Sequence, residues 1–177
     1  DRLWALHRDA RGHLCRASTG GVRSGDGIID DYAMLAEGLL DLYEATGDLE
    51  QLRRARELIA PAGELFTDPA GGFFMTASDT EAPLGRRADL FDSVEPSGIS
   101  SMLHALLRES ALTGDAAGRD QVGAIIARHG DLLDRAGLEM AWWLDALSLY
   151  HGPQYDVVIA GDDGALRKAF WRLDPSF

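Results

Sequence analysis

The chain has 177 residues, 46% of them hydrophobic, which is enough for one domain with a hydrophobic core. Its formal charge of -12 repels a phosphate backbone and an anionic membrane surface, which argues against nucleic acid or a membrane as a partner. No apolar run approaches the ~20 residues of a membrane span. The single cysteine, Cys15, rules out an internal disulfide and fits a reducing compartment, so we expect a cytoplasmic protein.

The first part of the chain predicts a loop followed by a helical hairpin. Residues 7–29 are rich in glycine and hold one short alternating stretch at 12–16, which favours a loop with one strand. From Asp30 onward, hydrophobic residues recur at helical spacing as far as Gly47, which suits the left-handed end of a helix. Either Asp30 or Asp31 suits the N-cap. A second amphipathic helix follows at once, so the two helices are expected to pair.

The middle of the chain predicts a small β-hairpin and then a second helical hairpin. The β-prone run 73–76 lies between turn residues. The next helix has Pro96 in its first turn and ends at Gly114, and its partner ends at Gly137. The first helix of a third hairpin begins near Met140. A further partner is not found, because 155–161 reads as a strand and is followed by a short helix.

A repeat connects the first two hairpins. The segment LLDLYEATGD at 39–48 returns as LLRESALTGD at 106–115, and each copy is followed by another amphipathic helix. Such units cannot bury their apolar faces alone, so they form a stack or a ring of helix pairs. The fold class is therefore mostly α.

Five motifs in a fixed order carry a resemblance to a known family. They are IIDDYAML at 28–35, LDLYEATGD at 40–48, GGFF at 71–74, Asp92 with PSG at 96–98, and YDVVIAG at 155–161. Together they resemble the C-terminal part of the spermatogenesis-associated, thioredoxin-domain-containing proteins.

The resemblance implies an architecture and an ancestry. It implies an N-terminal thioredoxin-like domain, absent here, followed by an (α/α)6 toroid similar to N-acylglucosamine 2-epimerases, cellobiose epimerases and six-hairpin glycosidases. On this view residues 1–153 form part of the toroid, with short β-hairpins in its loops, and 154–177 form a truncated strand–helix extension. The chain starts at Asp1 inside what looks like a helix, which indicates a fragment. Shared fold does not transfer chemistry.

One departure from the family pattern bears on the site. Ser93 and Val94 replace a Gly-Ala pair, and Ile99 stands where the family has an asparagine. The amide that could bind a sugar hydroxyl is therefore missing.

Most candidate site residues lie at the predicted starts of the first helix of each hairpin, which would point at the cavity of a toroid. His104 lies within the second of these helices, and Arg87 lies in the loop before Asp92, where a solvated loop position also explains it. Carboxylates can bind vicinal hydroxyls or transfer protons, and an aromatic ring packs on sugar C–H groups. The candidate catalytic residues are Asp31, Asp92 and Glu95, and the candidate substrate-binding residues are Asp30, Tyr32, Ser97, His104 and Arg87. Helix capping alone also explains the aspartates and the serine, and a core position explains the lone helix histidine. No His-x-x-x-His or Cys-x-x-Cys motif appears, so no metal and no cofactor is expected.

Two functions from different classes follow. The first is a carbohydrate-binding or carbohydrate-converting domain, whose reaction would be that of a sugar isomerase, an epimerase or a glycoside hydrolase. The second is a non-catalytic helical-repeat module that binds a protein. A fragment with half a ring would also expose an apolar flank, which predicts self-association or marginal stability.

Overall fold

A computed structural model describes residues 2–155, 157–161 and 164–173. The described chain is mostly helical. It begins with a short helix, α1 (Arg2–Leu6), and an antiparallel hairpin of β1 (Cys15–Thr19) and β2 (Val22–Asp26). Gly20 and Gly21 form its turn with φ of 59° and 84°, which is the backbone geometry of a two-residue hairpin loop. The predicted strand is confirmed as β1, which lies a few residues further along the chain than expected. Its partner β2 was not predicted, because all five residues of β2 are exposed.

The first helical hairpin consists of α2 (Ile29–Thr46) and α3 (Leu49–Leu65). Gly47 ends α2 with a φ of 72°, a left-handed conformation that glycine adopts without strain. One residue later the Asp48 side chain accepts a hydrogen bond from the Glu50 backbone and begins α3. The Gly-Asp pair thus ends one helix and starts the next.

The second hairpin repeats this geometry. It consists of α4 (Gly98–Thr113) and α5 (Ala116–Ala136). Gly114 ends α4 with a φ of 74°, and Asp115 accepts a hydrogen bond from the Ala117 backbone at 3.0 Å. The sequence repeat therefore corresponds to a structural repeat, as predicted.

The remaining described elements depart from the repeat. A 3-10 turn (Gly137–Met140) leads into α6 (Ala141–His151), and α7 (Gly164–Trp171) follows. The expected strand over 155–161 is not formed at 155 or 157–161, and its position 156 lies outside the described residues. The expected hairpin at 73–76 is reduced to one isolated bridge between Thr67 and Phe73. The Phe73 side chain is buried in the core.

Helices α2 and α4, the first helices of the two hairpins, form a row with α6, the first helix of the predicted third hairpin, and these three are here named the first helices. Helix α3 packs on α2, and α5 packs on α4 and α6. Asp30 lies against Gly98 at the starts of α2 and α4, while Arg108 binds Asp41 and Glu44 towards their ends. These two helices therefore run in the same direction. Helix α4 lies at the centre of the row, and most of its residues are buried.

No helix of the described part is long and apolar enough to cross a lipid bilayer.

Candidate functional site

The starts of α2 and α4 meet at one end of the molecule, as the sequence predicted. A Cβ atom placed on Gly98 would lie 2.5 Å from Asp30 Oδ2 and 2.6 Å from the Asp30 backbone nitrogen. Asp31 Oδ2 accepts a hydrogen bond from the Ile28 backbone at 2.8 Å and lies 3.7 Å from Arg16. The N-cap of α2 is therefore Ile28, and the prediction of Asp30 or Asp31 at that position was wrong. Asp31 lies three residues later and satisfies the Ile28 N–H, while Asp30 is the carboxylate at the contact between the two helices.

Asp92 connects three parts of this end of the molecule. Its Oδ1 accepts hydrogen bonds from the Ser97 backbone at 2.9 Å and from Ser100 Oγ at 2.7 Å. Its Oδ2 accepts one from the backbone of Trp142, at the start of α6, at 2.8 Å. Ser97 is the N-cap of α4 and accepts a hydrogen bond from the Ser100 backbone. The hydrogen bonds of Asp92 and Ser97, both predicted site residues, therefore hold the starts of α4 and α6 in place.

Three of the other candidates lie away from this carboxylate contact. Tyr32 is 2% exposed, accepts a hydrogen bond from the Leu14 backbone at 2.9 Å, and packs edge-on against Phe66. Its ring therefore presents no face to solvent. Glu95 and Arg87 are exposed loop residues, and neither side chain forms a hydrogen bond or an ion pair with a residue that the structure describes.

His104 is buried between α4 and the start of α6. Its Nε2 lies 3.0 Å from the Trp142 carbonyl, to which it donates, and 3.7 Å from Asp145 Oδ2. The imidazole stacks on the Trp142 ring with centroids 4.6 Å apart. Burial lowers the pKa of His104, although the Trp142 carbonyl and Asp145 act in the opposite direction. Burial thus favours the neutral imidazole, and the ring supports the Trp142 side chain by stacking.

The sequence reasoning missed a row of polar side chains between α2 and α4, here named the α2–α4 seam. Its members are Asp30, Glu37, Asp41 and Glu44 of α2, with Ser101 and Arg108 of α4. Arg108 Nη2 lies 2.7 Å from Asp41 Oδ1 and 3.0 Å from Glu44 Oε1. Only 16% of the Arg108 side chain is exposed, so this guanidinium is held inside the seam.

The seam contains two carboxyl groups with raised pKa values. Burial raises the pKa of Glu37 to about 7, an effect that Arg108 and the Ser101 hydroxyl reduce and Asp41 increases. Burial also raises the pKa of Asp30, with Asp31 and Asp89 adding to the effect and Arg16 opposing it. A carboxyl that holds its proton near neutral pH can donate a hydrogen bond or transfer a proton.

A second exposed feature lies at the start of α6. The Trp142 side chain is partly exposed, at 36%, and the Asp145 side chain is 56% exposed. His104 touches both residues from the protein interior. A ring face beside a carboxylate is the pairing that binds the C–H face and the hydroxyls of a sugar.

The spacing of the four carboxylates of α2 could have revealed the α2–α4 seam in the sequence. They follow one another at seven, four and three residues, which places them on one helix face. The hydrophobic spacing of α2 by itself predicts one buried face, which would leave Glu37 and Glu44 in solvent. Helix α2 in fact contacts both α3 and α4, and a helix with two neighbours buries part of its polar side.

Within the described ranges, no group of three or more His, Cys, Asp or Glu side chains is arranged to hold a metal ion.

Comparison with models of known protein families gives no match. Three curated relatives do match, all described as spermatogenesis-associated protein 20. The protein from Mus musculus is 32% identical over 158 residues, covering 85% of this chain and 20% of that protein. Those from Rattus norvegicus and Homo sapiens are 34% and 33% identical, covering 78% and 77% of this chain and 18% of each relative. The chain thus spans about a fifth of the length of the curated relatives it matches.

Proposed function

Because the chain belongs to the family of spermatogenesis-associated protein 20, we propose that it forms part of an (α/α)6 toroid that binds a carbohydrate-like small molecule. The binding face is formed by the first helix of each hairpin. The proposal includes a thioredoxin-like domain elsewhere in the longer protein and a location in the cytoplasm.

The observation that carries this proposal is the row of first helices. Helices α2 and α4 run in the same direction and bring their starts together, and Asp92 ties the start of α6 to them. This row presents polar groups, including the α2–α4 seam and the Trp142–Asp145 pair. In a ring of helical hairpins the first helices line the central cavity, so these groups would face a bound ligand.

The chemistry of these groups suits a sugar. The Trp142 ring offers a flat apolar surface for C–H groups, while Asp145 and the seam carboxyls offer acceptors for hydroxyls. Glu37 is the group best suited to acid–base work, because burial raises its pKa to about 7. An isomerase, an epimerase or a glycoside hydrolase would use such a group. Of these activities, only the binding of the ligand is proposed for this chain.

A second candidate function is supported by a groove on the other side of the molecule. The groove has a volume of about 850 Å³ and is formed by α3, α5 and the facing part of α4. Leu52, Ile59 and Leu106 form its apolar floor, and Arg56 and Glu109 form an ion pair across it at 2.8 Å. A protein-interaction module would use this outer groove rather than the α2–α4 seam.

Titration of the chain with glucose, N-acetylglucosamine and cellobiose tests the first proposal. Binding is followed by tryptophan fluorescence and by shifts of backbone amide signals in NMR spectra. We expect saturable binding that is lost in Trp142→Ala and kept in Trp171→Ala, the matched control in α7. Trp142→Ala leaves the backbone groups that bind Asp92 and His104 in place. No saturable shift with any of the three sugars, or equal binding by the Trp142 variant, would overturn the proposal.

A further inference from the structure

We propose that Ser18 is an activated nucleophile that accepts an acyl group from a small carboxylic ester. His7 is its general base, and Arg23 lies beside the negative charge that develops on the ester. These three residues lie where α1 meets the β1–β2 hairpin, and none of them belongs to the first helices. The inference therefore goes beyond the proposed function and does not depend on it.

The His7 ring connects a serine hydroxyl to a backbone carbonyl. Ser18 Oγ lies 3.0 Å from His7 Nε2, and the Cys15 carbonyl oxygen lies 2.9 Å from His7 Nδ1. Because the carbonyl can only accept, Nδ1 carries the ring hydrogen, and Nε2 of the neutral imidazole accepts from the Ser18 hydroxyl. A nucleophile, a base and a group that orients the base are the three parts of an activated serine.

The position of the His7 ring is fixed by two hydrogen bonds with the same residue. The Cys15 backbone N–H donates to the His7 carbonyl at 2.7 Å, and the His7 ring donates to the Cys15 carbonyl. Cys15 begins β1 and Ser18 lies three residues further along this strand, so the base and the nucleophile are held on one rigid element. Such positioning lowers the entropy that proton transfer would otherwise cost.

Arg23 places a cation beside this pair. It lies directly opposite Ser18 in the antiparallel ladder, where paired side chains share one face with their Cβ atoms about 5 Å apart. Its guanidinium donates to the carbonyls of Leu6 and, at 3.2 Å, Ala5, which directly precede His7. Its other N–H groups have no acceptor among the residues that the structure describes, so they can bind the oxygen of an ester.

These groups together support acyl transfer. Ser18 Oγ forms a bond to the ester carbonyl carbon while its proton passes to His7 Nε2, and the negative charge on the carbonyl oxygen lies beside Arg23. The bond between the acyl carbon and the leaving oxygen then breaks, and His7 gives the proton to the departing alcohol. A water molecule removes the acyl group by the same steps. The products are a carboxylic acid and an alcohol, and the serine is restored.

The orienting group and the exposure of the site define the class of substrate. A neutral carbonyl fixes the imidazole tautomer but stabilises the imidazolium less than the carboxylate of a full triad does, so esters with good leaving groups should react and amides should not. His7 and Ser18 are partly exposed and Arg23 is exposed, so a small ester can approach from solvent.

The test treats the complete chain with p-nitrophenyl acetate and, separately, with an alkyl fluorophosphonate. Release of p-nitrophenolate gives the rate of acylation. In the second reaction Ser18 Oγ binds phosphorus and fluoride leaves. Mass spectrometry of the intact chain and of its peptides locates the adduct. We expect one acyl or phosphonyl group per chain, carried by Ser18.

Three variants and one control assign the roles. Ser18→Ala should carry no adduct. His7→Gln offers an amide in place of Nε2 but cannot take a proton, and it should slow acylation about 100-fold. Arg23→Met should slow it about tenfold, as the loss of one charge-assisted hydrogen bond allows. Ser24→Ala removes an exposed serine of the same hairpin that pairs with Ala17 and should react like the unmodified chain.

The unmodified chain decides the question even where a variant does not fold, because the position of its adduct is read directly. No adduct on the folded chain, or adducts spread over several serines, would overturn the inference. So would an unchanged rate in His7→Gln with a thermal unfolding curve like that of the unmodified chain, because the hydrogen bond between His7 and Ser18 would then be structural only. Sugar binding is measured separately, so either proposal can fail alone.

Discussion

Asp92 Oδ2 accepts a hydrogen bond from the backbone nitrogen of Trp142 at 2.8 Å, across 50 residues of sequence. This contact fixes the start of α6 against the start of α4, because Asp92 Oδ1 binds Ser97 and Ser100 at the same time. One carboxylate therefore sets the relative position of two neighbouring first helices. The face proposed to bind a ligand depends on it.

Asp92→Ala should destabilise the protein by about 2 to 4 kcal/mol, because three donors at two helix starts lose their acceptor. Urea unfolding followed by circular dichroism measures the change. Asp131→Ala, at an exposed position of α5, is the control and should stay within about 0.5 kcal/mol. An Asp92 variant as stable as the unmodified protein would show that the carboxylate has no structural role.

Gly98→Ala should destabilise the protein by at least about 2 kcal/mol. The new methyl group would lie 2.6 Å from the Asp30 backbone nitrogen, and a side-chain rotation cannot relieve this clash. Gly130→Ala is the matched control, because it lies within α5 with open space around it. That substitution should stabilise the protein by about 0.5 to 1 kcal/mol through higher helix propensity. Thermal unfolding of the two variants should therefore shift in opposite directions.

Tyr32→Phe should cost about 1 to 2 kcal/mol and leave sugar affinity unchanged. The substitution removes the hydroxyl that accepts the Leu14 hydrogen bond and leaves a buried N–H group without a partner. Tyr155→Phe, at a side chain that is 76% exposed, serves as the control for stability. A loss of sugar binding in the folded Tyr32 variant would instead support the role that the sequence suggested for this ring.

Arg108→Met should weaken the contact between α2 and α4 and raise the pKa of Glu37 further. The guanidinium binds Asp41 and Glu44 and also favours the Glu37 carboxylate, so its removal leaves three carboxyl groups without a cation. We expect a destabilisation of about 1 to 3 kcal/mol, which is greater at pH 8 than at pH 5. Carboxyl carbon shifts in an NMR titration report the pKa of Glu37 directly. A Glu37 pKa that falls in the variant would contradict the described geometry.

Glu37→Gln should stabilise the protein at pH 8 and have little effect at pH 4. Glu37 has a folded pKa of about 7 against 4.5 for the ordinary group, so the folded state binds the proton more tightly than the unfolded state. The unfolding free energy therefore falls as pH rises from about 4.5 to about 7, and the full penalty remains above that range. Allowing for partial exposure, we expect a gain of about 2 kcal/mol in the variant at pH 8. The difference between variant and unmodified protein, measured at several pH values, removes the contribution of the other titrating groups.

The sequence by itself determined the helical hairpins and their repetition. The Thr-Gly-Asp turn acts within a few residues, since the glycine adopts a left-handed conformation and the aspartate caps the next helix. Periodicity likewise identified α2 and its partner. The same local signals failed at 155 and 157–161, where a β-prone run finds no neighbouring strand among the described residues.

Only the tertiary structure decided what the polar residues contact. The sequence could not show that Asp92 reaches Trp142, that Tyr32 lies in the core, or that Glu37 is partly buried against α4. Each fact depends on how two distant helices pack, and the polar face of a helix is exposed or buried according to its number of neighbours. The physical reason is that burial and charge pairing are long-range properties of the fold, whereas capping and helix periodicity are local properties of the chain.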